Sequence, residues 1–160
     1  MGDTKYIPAF SRLQGGSTLS TEKVIESKYL AKKKDVFGYY SSYTFANMLG
    51  RSTQVPAVHE VISNNASANR REVELGGRKL ILRKPRAEVR ADNAVTLQLL
   101  DLLKDFDRYS ELDSNEQISK LQSYVKKQNI PMSKVDRYLL LFPERVYKSI
   151  YETELYNVFT

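Results

Sequence analysis

The apolar positions along this chain change period twice, which predicts three parts. Residues 1–20 carry Pro8, Gly15, Gly16 and several Ser and Thr with little periodicity, so an irregular lead-in is expected. Residues 21–90 mix helical and strand-like spacing, and residues 91–160 read as helix throughout. In the mixed part, Ser20 or Thr21 caps a predicted helix with Val24, Ile25, Tyr29 and Leu30 inward and Lys32, Lys33 and Lys34 at its C-terminal end. Gly38 breaks the chain. A short helix from about Ser42 to Leu49 follows, with Tyr43, Ala46, Met48 and Leu49 inward and Gly50 as its stop.

The pattern then turns β-branched. Val55, Val58, Val61 and Ile62 predict a strand, interrupted only by His59 and Glu60. After a polar loop comes REVEL-GG-RKLIL, two strand-like runs joined by Gly76-Gly77, the strongest hairpin signal in the chain. A two-residue turn sets Leu75 opposite Arg78, Glu74 opposite Lys79, Val73 opposite Leu80 and Arg70 opposite Arg83. Val73, Leu75, Leu80 and Leu82 then share one face; Arg70, Glu72, Glu74, Lys79, Ile81 and Arg83 share the other.

Beyond Pro85, Asp92 is the predicted cap of the apolar helix NAVTLQLLDLLKDF, with Gln98, Asp101 and Asp105 marking its solvent side. Ser114 and Gln117 form a capping box ahead of Ile118, Leu121 and Val125. Ser133 and Asp136 resemble another capped start, ahead of Val135, Tyr138, Leu139 and Phe142. Pro143 opens a last helix through Val146, Ile150, Tyr151 and Leu155. The expected architecture is one α+β domain over 1–160: a small antiparallel sheet with a Gly-Gly hairpin, flanking helices and a helical C-terminal half.

Charge sharpens this picture. The net charge is +6, and residues 70–90 alone contribute +5, against +3 from residues 1–69 and −2 from residues 91–160. RREVELGGRKLILRKPRAEVR is therefore a candidate polyanion surface, with Arg70, Arg71, Arg78, Lys79, Arg83, Lys84, Arg86 and Arg90 as contacts. The absence of cysteine excludes disulfides and thiolate metal sites. No signal-type h-region and no spanning apolar run is present, which predicts a soluble, cytoplasmic protein with no membrane partner.

Catalytic patterns do not assemble. Gly15-Gly16-Ser17 resembles the Gly-Gly-Ser turn of nucleotidyltransferases, but that chemistry needs a carboxylate pair about a dozen residues on, and residues 27–40 hold only Asp35. Asp101, Asp105 and Asp107 read as a solvated helix surface rather than a metal cluster. His59 reads as a packed or hydrogen-bonded histidine, since Glu60 points to the opposite face of the strand. No catalytic, cofactor or metal residue is assigned, and a non-enzymatic role is expected.

The stretch YYSSYTFANMLGRSTQVPAVHEVISNNASANRREVELGGRKLILRKPR resembles the C-terminal domain of AbiEi-type antitoxins, from bacterial type IV toxin–antitoxin and abortive-infection systems. The resemblance rests on the element Met48-Leu49-Gly50-Arg51-Ser52-Thr53-Gln54-Val55-Pro56, the Gly-centred hairpin, and the helix carrying Asn93, Leu97, Gln98, Leu99, Leu100 and Asp101. It covers residues 37–110 well and the flanks loosely. Arg51 departs from the family's apolar residue at that place. The Ser-Thr-Gln-Val-Pro element reads first as a helix-to-strand junction, in which Ser52, Thr53 and Gln54 satisfy turn amides and carbonyls. A contact role for Arg51 and Gln54 is the alternative.

The family's usual N-terminal winged helix-turn-helix is not seen before residue 20, so no operator-reading helix is assigned. The resemblance implies a regulatory antitoxin domain in phage defence, countering a nucleotidyltransferase-type toxin without requiring a stable complex. The competing expectation is an accessory module that binds DNA or RNA through the basic hairpin.

Overall fold

The computed structural model describes residues 19–41, 44–46, 58–106 and 114–160. Helix α1 (Leu19–Ile25) continues as a π-helical turn over Glu26–Leu30. The chain then forms a two-stranded antiparallel ribbon, β1 (Ala31–Lys32) with β2 (Asp35–Val36). Strands β3 (Gly38–Ser41), β4 (His59–Ser63), β5 (Arg70–Leu75) and β6 (Arg78–Arg83) make a four-stranded sheet in the order β3-β4-β6-β5. Helices α2 (Ala94–Lys104), α3 (Ser114–Gln128), α4 (Met132–Leu139) and α5 (Arg145–Glu152) complete the α+β architecture, and a short 3-10 turn, Leu155–Asn157, follows.

The hairpin has the register its sequence dictates. Arg70 faces Arg83, Val73 faces Leu80, Glu74 faces Lys79 and Leu75 faces Arg78. Gly76 and Gly77 have φ of 54° and 79°, the two left-handed positions that a tight hairpin turn demands. β6 then pairs with β4 in parallel, His59 beside Leu80 and Val61 beside Leu82, so the sheet is mixed. One face carries Tyr40, Val61, Leu80 and Leu82, all buried, and lies under α1 and the π turn. On the other face α2 packs against β3, leaving the β5–β6 end open.

Several expectations are corrected. The predicted first helix does not run to Lys34: Ala31 is already extended, and the chain reverses through Lys33 at φ 54°. Pairing of Ala31 with Val36 and the Phe37 amide bond to Leu30 O (2.7 Å) outweigh continued helix. Val24 is exposed, whereas Ile25, Tyr29 and Leu30 are buried. Gly38 does not break the chain but lies within β3, where a Cβ would come 2.0 Å from Tyr29 O and 2.8 Å from Ile62 O. Only glycine lets the π turn approach the strand so closely.

The polar stripe of α2 does not face solvent. Gln98 is fully buried and Asp101 nearly so. Gln98 Nε2 donates to Tyr40 O at 2.8 Å, on the outer edge of β3, and its Oε1 accepts from Tyr124 at 3.3 Å. The side chain thereby satisfies a carbonyl that an edge strand would otherwise leave orphaned. Asn93, not Asp92, stands at the helix start; its Oδ1 accepts from Arg90 N (2.7 Å) and its Nδ2 donates to Glu88 O (2.8 Å), so it organises the preceding loop. Ser133 lies inside α4 behind Pro131, and Tyr151 is exposed.

Ile118, predicted inward, is only half-buried, whereas Leu121, Val125, Val135, Tyr138, Leu139, Phe142, Val146, Ile150 and Leu155 are buried in one apolar cluster with the sheet, as predicted. The side chains of the Ser114–Gln117 capping pair, the predicted helix positions at Tyr43 and 48–50, and the Ser-Thr-Gln-Val-Pro element lie outside what is described. Among the described residues no helix is long and apolar enough to cross a membrane.

Candidate anion-binding face

Strand alternation divides the basic segment. Arg70, Lys79 and Arg83 project from the open outer face. Arg71 and Arg78 belong to the opposite face, as the period-two alternation of the hairpin requires. Arg71 Nη1 donates to Ser67 Oγ at 3.2 Å. Arg78 is turned into the structure, where Nη1 donates to Nε2 of buried His59 at 2.5 Å. This contact ties Arg78 to the buried histidine of β4.

On the outer face the direct opposition of Arg70 and Arg83 is relieved sideways. Arg83 Nη1 donates to Glu60 Oε2 of β4 at 2.8 Å, and this carboxylate holds the guanidinium still more firmly protonated than usual. Arg70, Lys79 and Lys84 have no ion pair or hydrogen bond from their side chains among the described residues, although Glu74 faces Lys79 in the register.

Where β6 ends, a hollow of about 350 Å³ opens between the sheet and α2, lined by Ile62, Asn69, Arg83, Lys84, Pro85, Arg86, Asp101 and Lys104. Arg86 is braced by a 3.0 Å bond to Leu141 O and by the Phe142 ring, whose centroid lies 5.1 Å from its guanidinium carbon. Arg90 is turned to Asp92 (3.2 Å), Glu88 (3.9 Å) and the Tyr138 hydroxyl (3.4 Å) and does not line the hollow. Lys104 is the cation that the sequence reading missed. Its only sequence signal is its place three residues after Asp101, within ion-pair range at 3.9 Å.

Asp101 forms the floor of this hollow. Tyr39 Oη donates to its Oδ2 at 2.5 Å, and Lys104 Nζ lies near Oδ1. Burial pushes the Asp101 carboxyl up to about 6, with Tyr39, Lys104, Arg86 and Arg83 pulling it back. Asp105 is paired instead with Lys104 (3.8 Å) and Arg145 (3.7 Å). Among the described residues no group of three or more His, Asp or Glu is placed to hold a metal ion. Asp107 lies outside the described residues, as do Arg51, Gln54 and Gly15-Gly16-Ser17.

Under the other face, His59 sits in a polar cluster. An arginine only donates, so Nε2 accepts from Arg78 and the ring proton is on Nδ1, which faces Thr44 Oγ1 at 3.4 Å. The Glu60 amide donates to the same Thr44 oxygen at 3.2 Å. Burial, and then the Arg78 charge, push the His59 imidazolium down to about 4, so the ring is neutral. Glu22 Oε2 and the Tyr40 hydroxyl are buried here and find no hydrogen-bond partner among the described residues. Comparison of the chain with protein-family models, with curated proteins and with solved structures finds no match.

Proposed function

We propose that this chain is a non-catalytic regulatory domain of the AbiEi antitoxin type, countering a nucleotidyltransferase-type toxin and contacting nucleic acid through the outer face of the β5–β6 hairpin. The antitoxin reading is supported by the sequence resemblance over residues 37–110. The nucleic-acid contact is supported by one observation: Arg70 and Lys79 lie exposed on the open outer face of the hairpin with no ion pair among the described residues, and exposed Lys84 follows where β6 ends, beside Arg83 and Arg86. Exposed cations that are not held in ion pairs raise the local concentration of a polyanion and gain from counterion release when it binds.

The two parts of the proposal separate experimentally. Titration with duplex DNA at rising salt reads the contact: a steep negative slope of log K against log salt supports it, and no binding near ~50 mM salt overturns it. Co-expression with a nucleotidyltransferase encoded beside this gene reads the antitoxin role, which fails if growth arrest is not relieved.

A further inference from the structure

The hollow at the end of β6 differs from the open face above it in having cations that are already held in position. Arg83 is fixed by Glu60, Arg86 by Leu141 O and the Phe142 ring, and Lys104 by Asp101 and Asp105. Ordering such side chains is a main cost of binding an ion, and here most of it is met in the fold. Lys84 adds an exposed ammonium and Asn69 an amide, while Ile62 and Pro85 supply apolar walls. The volume of about 350 Å³ suits a small charged group rather than a duplex backbone.

The unusual member is Asp101. A carboxylate at the floor of a cationic hollow repels an incoming anion and also occupies Lys104. A proton on Asp101 removes the repulsion and releases Lys104 from one of its two carboxylate partners, leaving it held by Asp105. The groups facing Asp101 are Tyr39 from β3, Arg83 from β6, Arg86 from the segment after it, and Lys104 from its own helix. None of these competes for that proton: Tyr39 donates a hydrogen bond, and the others are cations.

We infer that this hollow seats a phosphate-type oxyanion, with Arg83, Lys84, Arg86 and Lys104 as donors and protonation of Asp101 strengthening the binding. The phosphate can end a nucleic-acid strand or belong to a free nucleotide. This deepens and rests on the reading of the basic face as a nucleic-acid contact, and it adds a proton taken up as the anion binds. Because the Asp101 carboxyl titrates near 6, that uptake falls within reach of mild acidification.

Calorimetric titration with sulfate tests this, since sulfate remains a dianion throughout and any pH dependence belongs to the protein. The wild type is expected to bind about tenfold or more tightly at pH 5 than at pH 8. Asp101→Asn keeps the acceptor for Tyr39 and is expected to bind at both pH values with little difference. Equal wild-type affinity at the two pH values, or an unchanged pH dependence in Asp101→Asn, overturns the inference. The exposed pair Lys84→Gln with Arg86→Gln should abolish sulfate binding, whereas Arg70→Gln with Lys79→Gln should not; the reverse places the ion on the open face and also overturns it. A 5′-phosphorylated oligonucleotide and a nucleoside monophosphate, each competing against sulfate, identify the source by which one displaces it, and displacement by neither refutes the phosphate assignment. Lost duplex binding with sulfate binding intact would count against the nucleic-acid reading and leave this site standing.

Discussion

Arg78 Nη1 meets His59 Nε2 at 2.5 Å, so β6 is pinned from beneath to the strand beside it. The contact joins β6 to β4, whose pairing is parallel and has no hairpin to fix its register. The histidine stays neutral because burial penalises the imidazolium, and the Arg78 guanidinium beside it adds to that. His59 therefore acts as an acceptor at a crossing point in the sheet.

A direct consequence is measurable, because the chain has a single histidine. In an NMR titration its ring should have a midpoint of about 4. Replacing Arg78 with Met removes the nearby charge but leaves the burial, so the midpoint should rise while remaining below the ordinary 6.5. A midpoint at 6.5 in the wild type would show that the ring is solvated and the contact absent.

Stability against pH should reveal Asp101 and His59 pulling in opposite directions. The Asp101 carboxyl is raised from 3.8 to about 6, so its contribution is present below 3.8 and lost as pH rises through 6. Asp101→Asn should then be more stable than wild type at pH 8, by on the order of 3 kcal/mol, and no more stable below pH 4. His59 is lowered from 6.5 to about 4, so its contribution is present above 6.5 and lost as pH falls through 4. In wild type the two trends offset each other; in Asp101→Asn acidification from pH 6.5 to 4 should uncover the histidine loss. Urea unfolding at pH 4, 6 and 8 measures all three.

The hairpin turn gives a test of packing. Gly76 and Gly77 both have positive φ, yet a Cβ at Gly76 would lie 2.7 Å from Thr21 Oγ1, while one at Gly77 meets nothing within 4 Å. Val at either position should cost about 1–3 kcal/mol from backbone strain. Gly76→Val should cost more, because α1 must also give way. Equal thermal midpoints for the two variants would show that α1 does not rest on the turn.

The outer cations should be separable from stability. Changing Arg70 and Lys79 together to Gln should shift unfolding by less than ~1 kcal/mol, since both are exposed and neither is in an ion pair among the described residues. The same change should lower duplex affinity and flatten its salt dependence by up to roughly 0.9 slope units for each charge that met a phosphate. Undiminished affinity would remove the open face as the contact. Arg78→Met should behave oppositely, costing stability with a smaller effect on binding.

The sequence by itself determined what is local. Two adjacent glycines between alternating runs set the turn, the register from Leu75–Arg78 to Arg70–Arg83, and the division of the hairpin into an apolar and a charged face, because strand geometry has period two. It also marked the inward positions of α3, α4 and much of α5, where helical spacing leaves few alternatives. The tertiary structure alone decided what each polar side chain meets. The stripe through Gln98 and Asp101 has the spacing of a solvent face, but an edge-strand carbonyl and the Tyr39 hydroxyl turn it inward. Gly38 reads as a break until the π turn is seen resting on it. The cations of residues 70–90 lie close together in sequence, yet the Arg78–His59 contact turns one of them inward, and Lys104 joins the hollow from the following helix. Periodicity states that a side chain is polar and which way it points; only long-range packing supplies the partner, and the partner decides whether the charge is spent or left for a ligand.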